Sequence, residues 1–182
     1  RRRDGGRKKF RQSSCESFAC IGEKVGVMKI AVVGDSHGNG KKLIDLCDVF
    51  NECDALFFLG DGERDLTELK GFKNVPIYAV SGNNDFGSLL PKESVAQVGG
   101  MKFFLTHGHL YGVDRDLLRL TLRAKSEQCD AVFFGHTHIP TVKYNDILVM
   151  NPGSLTYPRT GKPSYGIAEG DKNGLFGKII YI

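Results

Sequence analysis

The sequence lacks the features that mark a membrane-spanning protein or a disulfide-stabilised secreted one. No apolar run approaches the ~18 residues that a membrane-spanning helix needs. The five cysteines include no C-x-x-C pair, and their odd number leaves at least one thiol unpaired. We therefore expect reduced, mostly buried thiols in a cytoplasmic protein that does not act at a membrane.

Outside its first residues, the chain also lacks an excess of basic charge. Residues 1–27 hold 8 of the 25 Lys and Arg residues and only 3 of the 21 acidic ones, so residues 28–182 are slightly acidic. A nucleic-acid-binding domain carries its basic stripe on the folded surface, so nucleic acid is not the expected partner. Residues 1–27 show neither strand nor helix periodicity and lack the apolar centre of a signal peptide. We expect a disordered or non-native extension over 1–27, with a nucleic-acid or membrane arm as the alternative, and one domain over 28–182.

The fingerprints of nucleotide-binding loops are missing as well. The stretch GDSHGNGKK, residues 34–42, follows the apolar run KIAVV and is rich in glycine. A P-loop would need glycine where Asp35 stands and serine or threonine where Lys42 stands, and the G-x-G-x-x-G pattern fails too. The same loop offers two metal ligands, Asp35 and His37, so a metal suits it better than a phosphate.

Apolar runs alternate with amphipathic segments in the first half of the domain. Strands are predicted over 28–34, 54–61 and 75–85, with helices over 41–52 and 64–70 between them, which indicates parallel βαβ units. The second half predicts three hairpins, a helix over 113–128 and a buried strand over 130–138. Those hairpins turn at Gly99-Gly100, at Asn145-Asp146 and near 171–174. The pattern fits two sheets packed face to face with helices outside.

All five histidines of the chain follow apolar strands directly. They occur in the motifs VVGDSHG, FFLTHGH and VFFGHTH, and two further strands end in FFLGDGE and AVSGNND. Five strands thus each deliver Asp, Asn or His at the carboxyl end, where ligands bind in α/β sheets. A single such motif is usually a turn or a surface histidine, but chance does not explain five together. Oxygen and imidazole ligands without thiolate suit Mn²⁺, Fe²⁺ or Zn²⁺.

Read in order, GDSHGN, GDGE, GNND, THGH and GHTH resemble the motifs of the calcineurin-like metallophosphoesterases. Their small single-domain bacterial and archaeal phosphodiesterases are the most similar branch, and NPGSLTYPR at 151–159 resembles that branch too. The resemblance spans residues 28–182. It implies an α/β fold, a four-layer sandwich of two mixed β-sheets flanked by helices. It also implies two divalent metal ions and hydrolysis of a phosphate ester by a hydroxide that bridges them. Mn²⁺ is the expected ion, with Ni²⁺, Fe²⁺, Zn²⁺ and Mg²⁺ as alternatives.

The resemblance also implies a role for each ligand. The first metal would take Asp35, His37 and His138, and Asp61 would bridge both metals. The second metal would be completed by three further residues: Asn83, His107 and His136.

One position departs from the pattern of many family members. Asn84 stands where they carry a histidine that protonates the leaving group, and an amide has no accessible proton to give. We expect His109 or a water held by a metal to replace that histidine, although His109 as a hydrogen-bond donor behind the ligands is an equal alternative. Asp85 belongs to the same catalytic loop and is expected to orient it. Asn84, His109 and Arg159 are the candidates for contacting substrate.

The leading hypothesis is a metal-dependent phosphodiesterase or phosphatase acting on a small phosphate ester. The alternative is a catalytically weak or inactive scaffold for protein interactions, as in the retromer subunit of this fold, whose metal site is depleted. The complete ligand set favours catalysis. A nuclease lacks support because the domain has no basic excess. The sequence leaves the oligomeric state open, a dimer or larger assembly included.

Overall fold

The computed structural model describes residues 27–69, 72, 75–171 and 173–182. Apart from Val27, the extension expected over 1–27 lies outside the described residues, so that expectation stays a prediction. The strands are β1 Met28–Val33, β2 Ala55–Phe58, β3 Ile77–Ala79, β4 Glu93–Val98, β5 Met101–Thr106, β6 Ala131–Phe133, β7 Thr141–Asn145, β8 Ile147–Asn151, β9 Ser164–Asp171 and β10 Gly174–Tyr181. The α-helices are α1 Gly40–Asp45, α2 Cys47–Asn51 and α3 Leu118–Ser126, and 3₁₀ helices cover Glu63–Leu69 and His109–Tyr111.

The strands form two mixed five-stranded sheets. In the first sheet the order is β10-β9-β1-β2-β3, and β1, β2 and β3 run parallel to one another. In the second sheet the order is β4-β5-β6-β8-β7, with β5, β6 and β8 parallel. Antiparallel hairpins complete both sheets. The carboxyl ends of the parallel strands therefore face loops that carry most of the polar motifs.

Alternate residues of the buried strands pack on opposite faces of each sheet. In β1, Ile30 and Val32 belong to the core between the sheets, whereas Ala31 and Val33 pack with residues of α1 and α2. In β6, Phe133 lies between the sheets, whereas Val132 packs with residues of α3. Helices thus cover the outer face of each sheet, and the predicted four-layer sandwich is confirmed.

The predicted strands and hairpins are all present, but two helical segments differ from the sequence pattern. The helix predicted over 41–52 is divided at Leu46, whose backbone (φ −99°, ψ 2°) leaves the helical region. The helix predicted over 113–128 begins only at Leu118, because the Asp116 carboxylate accepts the Leu118 N–H at 2.9 Å and so starts the first turn there. In the described part of the chain, no helix has the length and hydrophobicity to cross a membrane.

The three described cysteines are free thiols, as the sequence predicts. Cys53 and Cys129 are buried and Cys47 is half-buried. Burial raises the pKa of all three thiols, so they stay protonated and are poor nucleophiles. Their role is packing.

Candidate metal centre

Side chains from both sheets meet at one end of the sandwich. The loops after β1 and β2 bring Asp35 and Asp61, and the loop after β5 brings His107. These three buried residues each offer a ligand atom, and the three atoms lie within 4.8 Å of one another. A second group of the same kind consists of Asp35, His37 and His138. These two groups contain five of the seven residues expected to bind metal, and Asp35 belongs to both groups.

Two of the histidines that follow strands of the second sheet, His107 and His138, are oriented by backbone carbonyls. The Nδ1 of His107 donates to the Leu59 carbonyl at 2.8 Å, and the Nδ1 of His138 donates to the Tyr157 carbonyl at 2.7 Å. A neutral imidazole that carries its proton on Nδ1 has a lone pair on Nε2. In both residues, that lone pair is aimed into the site.

Those lone pairs face atoms that also carry lone pairs. The Nε2 of His107 lies 3.1 Å from Asn83 Oδ1 and 3.4 Å from Asp61 Oδ2. The Nε2 of His138 lies 3.1 Å from the Nε2 of His37 and 3.1 Å from Asp35 Oδ1, a buried oxygen that, with His138 in this tautomer, accepts no hydrogen bond from the described residues. Acceptors this close repel unless a proton or a cation lies between them. The donor set, imidazole nitrogens with carboxylate and amide oxygens, fits a divalent metal ion.

Asp61 lies between the two groups. Its Oδ2 is 3.4 Å from the Nε2 of His107 and 3.9 Å from that of His37. The backbone N–H of Asn84 donates to the other oxygen at 2.8 Å, and the Asn84 amide donates to Oδ2. Burial raises the pKa of the Asp61 carboxyl, but the hydrogen bond and charge of His107 and the two bonds from Asn84 outweigh it, so the net pKa is lowered. Asp61 is thus held as a carboxylate.

The same carboxylates raise the pKa values of the neighbouring histidines. Burial lowers the pKa of His107, but its hydrogen bond to Asp61 and the negative charges of Asp35 and Asp61 outweigh burial and raise it. The hydrogen bond and charge of Asp35 raise the pKa of His138. A bound cation would take the place of the added proton, because both occupy the same nitrogen lone pair.

The backbone at the site is in an unusual conformation. Seven described non-glycine residues have a positive φ, and five of them are predicted ligands: Asp35 (54°), His37 (49°), Asp61 (56°), His136 (69°) and His138 (55°). Residues other than glycine rarely adopt a positive φ, and each one that does costs on the order of 1–3 kcal/mol of conformational strain. Strain of this kind is concentrated at functional sites, so it points to the same residues as the motifs do.

Asp85 ties the loops after β2 and β3 together. Its Oδ2 accepts the N–H groups of Asp61 and Gly82, both at 2.8 Å, and its Oδ1 accepts those of Gly62 and Glu63 at 2.8 and 2.9 Å. Burial raises the pKa of the Asp85 carboxyl, but these four bonds lower it further than burial raises it. Gly82 is required here because a Cβ on it would lie 2.0 Å from Asp61 Oδ1. These bonds are those of a residue that orients the loop.

The loop after β1 is held by side chains from two other segments of the chain. The Ser154 hydroxyl donates to the Asp35 carbonyl and the Thr156 hydroxyl to the Ser36 carbonyl, both at 2.8 Å. The buried Asp65 carboxylate accepts the Ser36 hydroxyl at 2.5 Å. Ser154 is buried and faces the backbone, so the NPGS segment is a structural turn. The similarity of this segment to the small phosphodiesterases was the sequence feature that could have placed it at the site. No sequence feature pointed to Asp65.

His136 lies beside this centre but has a different partner. Its ring centroid is 5.2 Å from that of His107, and its backbone N–H donates to Asp35 Oδ2 at 3.2 Å. Its Nε2, however, lies 3.2 Å from Oδ2 of Asp114, a side chain that is 53% exposed. Sequence reasoning did not identify Asp114, because it precedes a helix in a segment without a motif.

The remaining predicted site residues lie around the centre. The His109 ring centroid is 5.5 Å from that of His107 and 6.1 Å from that of His136, and its buried Nδ1 has no hydrogen-bond partner in the part of the chain that the structure describes. Burial and the neighbouring cations lower the pKa of His109, which keeps it neutral. Arg159 donates its backbone N–H to the His138 carbonyl at 3.1 Å, and its exposed side chain borders a groove of about 710 Å³. Asn83 and Asn84 are exposed beside the ligands.

Comparisons with known proteins agree with this geometry. The chain is 30% identical over 164 residues to a phosphodiesterase of Methanocaldococcus jannaschii, an alignment that covers 80% of this chain and 95% of the relative. The crystal structure of a conserved Streptococcus pneumoniae protein described as a predicted phosphoesterase has a TM-score of 0.76 at 30% identity and covers 86% and 90% of the two chains. The structure of vacuolar protein sorting 29 from Cryptosporidium parvum has a TM-score of 0.68 at 19% identity, covering 86% and 98%, a likeness of fold alone.

The sequence profile of the calcineurin-like phosphoesterase superfamily domain matches residues 28–173. That match covers most of the chain and all the residues of the centre. Membership implies divalent metal ions, and the groups around Asp35 are the candidate ligands. The chain therefore belongs to the calcineurin-like phosphoesterase superfamily and has the metallophosphoesterase fold.

Proposed function

We propose that the protein is a metal-dependent phosphodiesterase that holds two divalent metal ions and hydrolyses a small phosphate ester. One observation carries the proposal: two histidines, fixed in orientation by backbone carbonyls, aim Nε2 lone pairs at unprotonated acceptors. An arrangement of this kind is costly without a cation. The phosphodiesterase of Methanocaldococcus jannaschii among the relatives supports the reaction type.

Each ligand has a place in the proposed centre. The first ion would be held by Asp35, His37 and His138, and Asp61, whose Oδ2 lies 3.4 Å from His107 Nε2 and 3.9 Å from His37 Nε2, would contact both ions. The second ion would take the remaining three residues: Asn83, His107 and His136. For His136 this requires the ring nitrogen that does not face Asp114, and a carboxylate partner of this kind commonly fixes a metal-binding histidine.

Hydrolysis forms a phosphorus–oxygen bond to water and breaks the bond to the leaving alcohol. One proton of the water ends on the leaving oxygen and the other on the phosphomonoester or in solvent. Two bound divalent cations, of which Mn²⁺ is the first candidate, would lower the pKa of the attacking water and neutralise charge on the phosphoryl oxygens. The protein holds Asp61 ionised through Asn84 and His107, so that this carboxylate is available at neutral pH.

The source of the leaving-group proton is the point where this chain departs from many relatives. The Asn84 amide donates to Asp61, so it serves the carboxylate and cannot act as an acid. His109 would have to be protonated in the substrate complex to supply that proton, because its lowered pKa leaves the free imidazole neutral, and a water held by a metal is the alternative source. If His109 supplies the proton, its replacement by Gln should make the rate depend more steeply on leaving-group pKa across a series of aryl esters. An unchanged slope would leave it as a supporting residue.

The test of the function is hydrolysis of bis-p-nitrophenyl phosphate by the metal-free protein with added Mn²⁺. We expect turnover, and we expect EDTA to abolish it. Asp61→Asn should reduce the turnover by more than roughly 10- to 100-fold, the range typical of residues that hydrogen-bond to metal ligands. Binding of Mn²⁺ to the same variant, measured by calorimetry, should weaken in parallel. Asp45→Asn, the same change on exposed Asp45 at the end of α1, is the matched control and should retain both.

Absence of turnover with Mn²⁺, Ni²⁺, Fe²⁺ and Co²⁺ would contradict the proposal and favour the scaffold alternative. Equal activity of Asp61→Asn and the unaltered protein would contradict the assigned centre, even with turnover present.

A further inference from the structure

A second cavity, of about 580 Å³, opens directly from the metal centre. Three site residues, His37, Asp61 and Asn84, form one end of it, and the segment 86–88 and Tyr157 form its walls. The volume lies within the range of about 300–1,000 Å³ that is common for small-molecule sites. Whatever is attached to the phosphorus therefore has room to extend into this cavity.

Two of its lining residues are aromatic rings left in solvent. Phe86 is 82% exposed and Tyr157 is 60% exposed. The phenylalanines of the strands contrast with them, since Phe57, Phe103 and Phe133 are fully buried in the core. Exposed aromatic side chains that border a cavity beside a polar centre are available to contact a ligand.

The backbone beneath both rings is firmly held although the rings are free. Phe86 directly follows Asp85, the carboxylate that accepts four backbone N–H groups. Tyr157 accepts the His138 Nδ1–H through its carbonyl and donates its N–H to Ser154 Oγ at 2.9 Å. Its ring centroid lies 5.4 Å from that of His37. Exposed rings on a fixed backbone offer flat surfaces at low entropic cost, the arrangement that suits stacking.

Polar groups in the same cavity suit a planar group with hydrogen-bonding edges. Arg64, Glu63 and Ser88 line it together with the two rings, so donors and acceptors lie beside the apolar surfaces. The groove of about 710 Å³ that Asp114 and Arg159 line differs, since its exposed apolar side chains are the aliphatic Leu118, Leu122 and Ile139. The domain's balanced charge argues against a nucleic acid polymer.

Building on the function proposed above, we propose that the substrate is a nucleotide phosphodiester whose base stacks on Phe86 and Tyr157. Phosphorus lies at the metal centre and the base lies in the cavity. The reaction is the hydrolysis already written, with a nucleoside as one of the two ester groups.

Two probes that differ only in the base test this inference: adenosine 5′-monophosphate and ribose 5-phosphate. Calorimetric titration of each into the Mn²⁺-loaded full chain should show binding about tenfold tighter for the nucleotide, as expected for one stacked base. Phe86→Ala and Tyr157→Ala should each reduce that ratio to roughly threefold or less. Tyr157→Phe keeps the ring and should keep the ratio.

The matched control is Phe176→Ala, since Phe176 is also an exposed phenylalanine (65%) but lies on β10, outside the cavity. It should leave the ratio unchanged. Equal affinity for the two probes, or a ratio that survives both alanine substitutions, would overturn the inference. Turnover of bis-p-nitrophenyl phosphate in the same preparation separates this failure from failure of the proposed function, which would abolish that turnover.

Discussion

Two parts of the centre hold their histidines through different partners. On the floor of the site (Asp35, Asp61, His107 and His138), the histidines donate to backbone carbonyls and both carboxylates are buried. On the rim (His109, Asp114 and His136), His136 contacts an exposed carboxylate and the Nδ1 of His109 has no hydrogen-bond partner among the described residues. A backbone carbonyl neither titrates nor changes with a point substitution, whereas a carboxylate does both. The floor is therefore formed by the fold itself, and the rim by side chains that can change position.

This difference matches what each part has to do. Ligands that approach lone pair to lone pair must be held against their own repulsion, and the buried, backbone-held floor provides that. The rim borders the open groove of about 710 Å³, where the side chain of Asp114 is half exposed to solvent. The two parts should accordingly respond to substitution by different amounts, and the following predictions test that order.

Among substitutions outside the proposed ligands, the largest effect is expected below the floor, at Asp85. Asp85→Asn replaces one acceptor oxygen by an amide nitrogen that faces backbone N–H groups, which leaves buried donors unpaired. We expect the free energy of unfolding to fall by about 1–3 kcal/mol, and kcat/KM by about 10- to 100-fold. Asp54→Asn is the control, because the exposed Asp54 accepts a single N–H, that of Lys29 at 2.8 Å. Equal destabilisation by both substitutions would refute the special role of the four-bonded carboxylate.

An intermediate effect is expected on the rim, at Asp114. Asp114→Asn removes the charge that faces His136 and should weaken Mn²⁺ binding and kcat/KM by about tenfold, the lower end of the usual range. The free energy of unfolding should not change, because the side chain is half exposed. Asp116→Asn makes the same change two residues away and keeps an oxygen to accept the Leu118 N–H. If Asp116→Asn weakened the metal equally, the effect would be one of general charge and the contrast between floor and rim would be lost.

The smallest effect is expected behind the rim, at Glu93. Its carboxylate accepts the Tyr111 hydroxyl and an Arg123 N–H, and so attaches the turn that carries His109 to β4 and α3. The Tyr111 hydrogen bond, followed by Arg123, lowers the pKa of the Glu93 carboxyl against the opposing effect of burial. A lowered folded-state pKa means that this stability is present above the unfolded-state pKa and is lost as the pH falls through the folded-state value.

Glu93→Gln should therefore cost a few tenths of a kcal/mol at neutral pH, since the carboxylate is partly exposed. The difference from the unaltered protein should shrink below the ordinary pKa of 4.5. Urea unfolding between neutral pH and pH 3 measures it. A difference that stays constant with pH would assign the effect to packing and not to charge.

The sequence predicts the floor better than the rim for a physical reason. Asp35, Asp61 and His107 directly follow apolar strands, and parallel strands end at the same edge of a sheet. The sequence pattern of the strands therefore predicts that these three side chains lie close together. The partners of the histidines gave no such signal, because Leu59 and Tyr157 act through carbonyls that every residue possesses. Asp114 meets His136 only through the path of an irregular segment, which no periodicity describes.

The same reasoning explains where the helix predictions differ. The apolar spacing over 41–52 and 113–128 correctly predicts helices with a buried face. It does not predict the single residue at which a helix is interrupted or begins. Leu46 interrupts one helix through its backbone angles, and Asp116 starts the other through a side-chain acceptor. Both are local choices between similar energies, and tertiary packing decides them.

The position of the ligands across the sandwich has a consequence for the whole fold. Asp35, His37 and Asp61 belong to one sheet, and His107 and His138 to the other. A cation bound by ligands from both sides would join the two layers at this end of the sandwich. Part of its binding energy would then stabilise the sheets against separation, so metal binding and resistance to unfolding should rise and fall together.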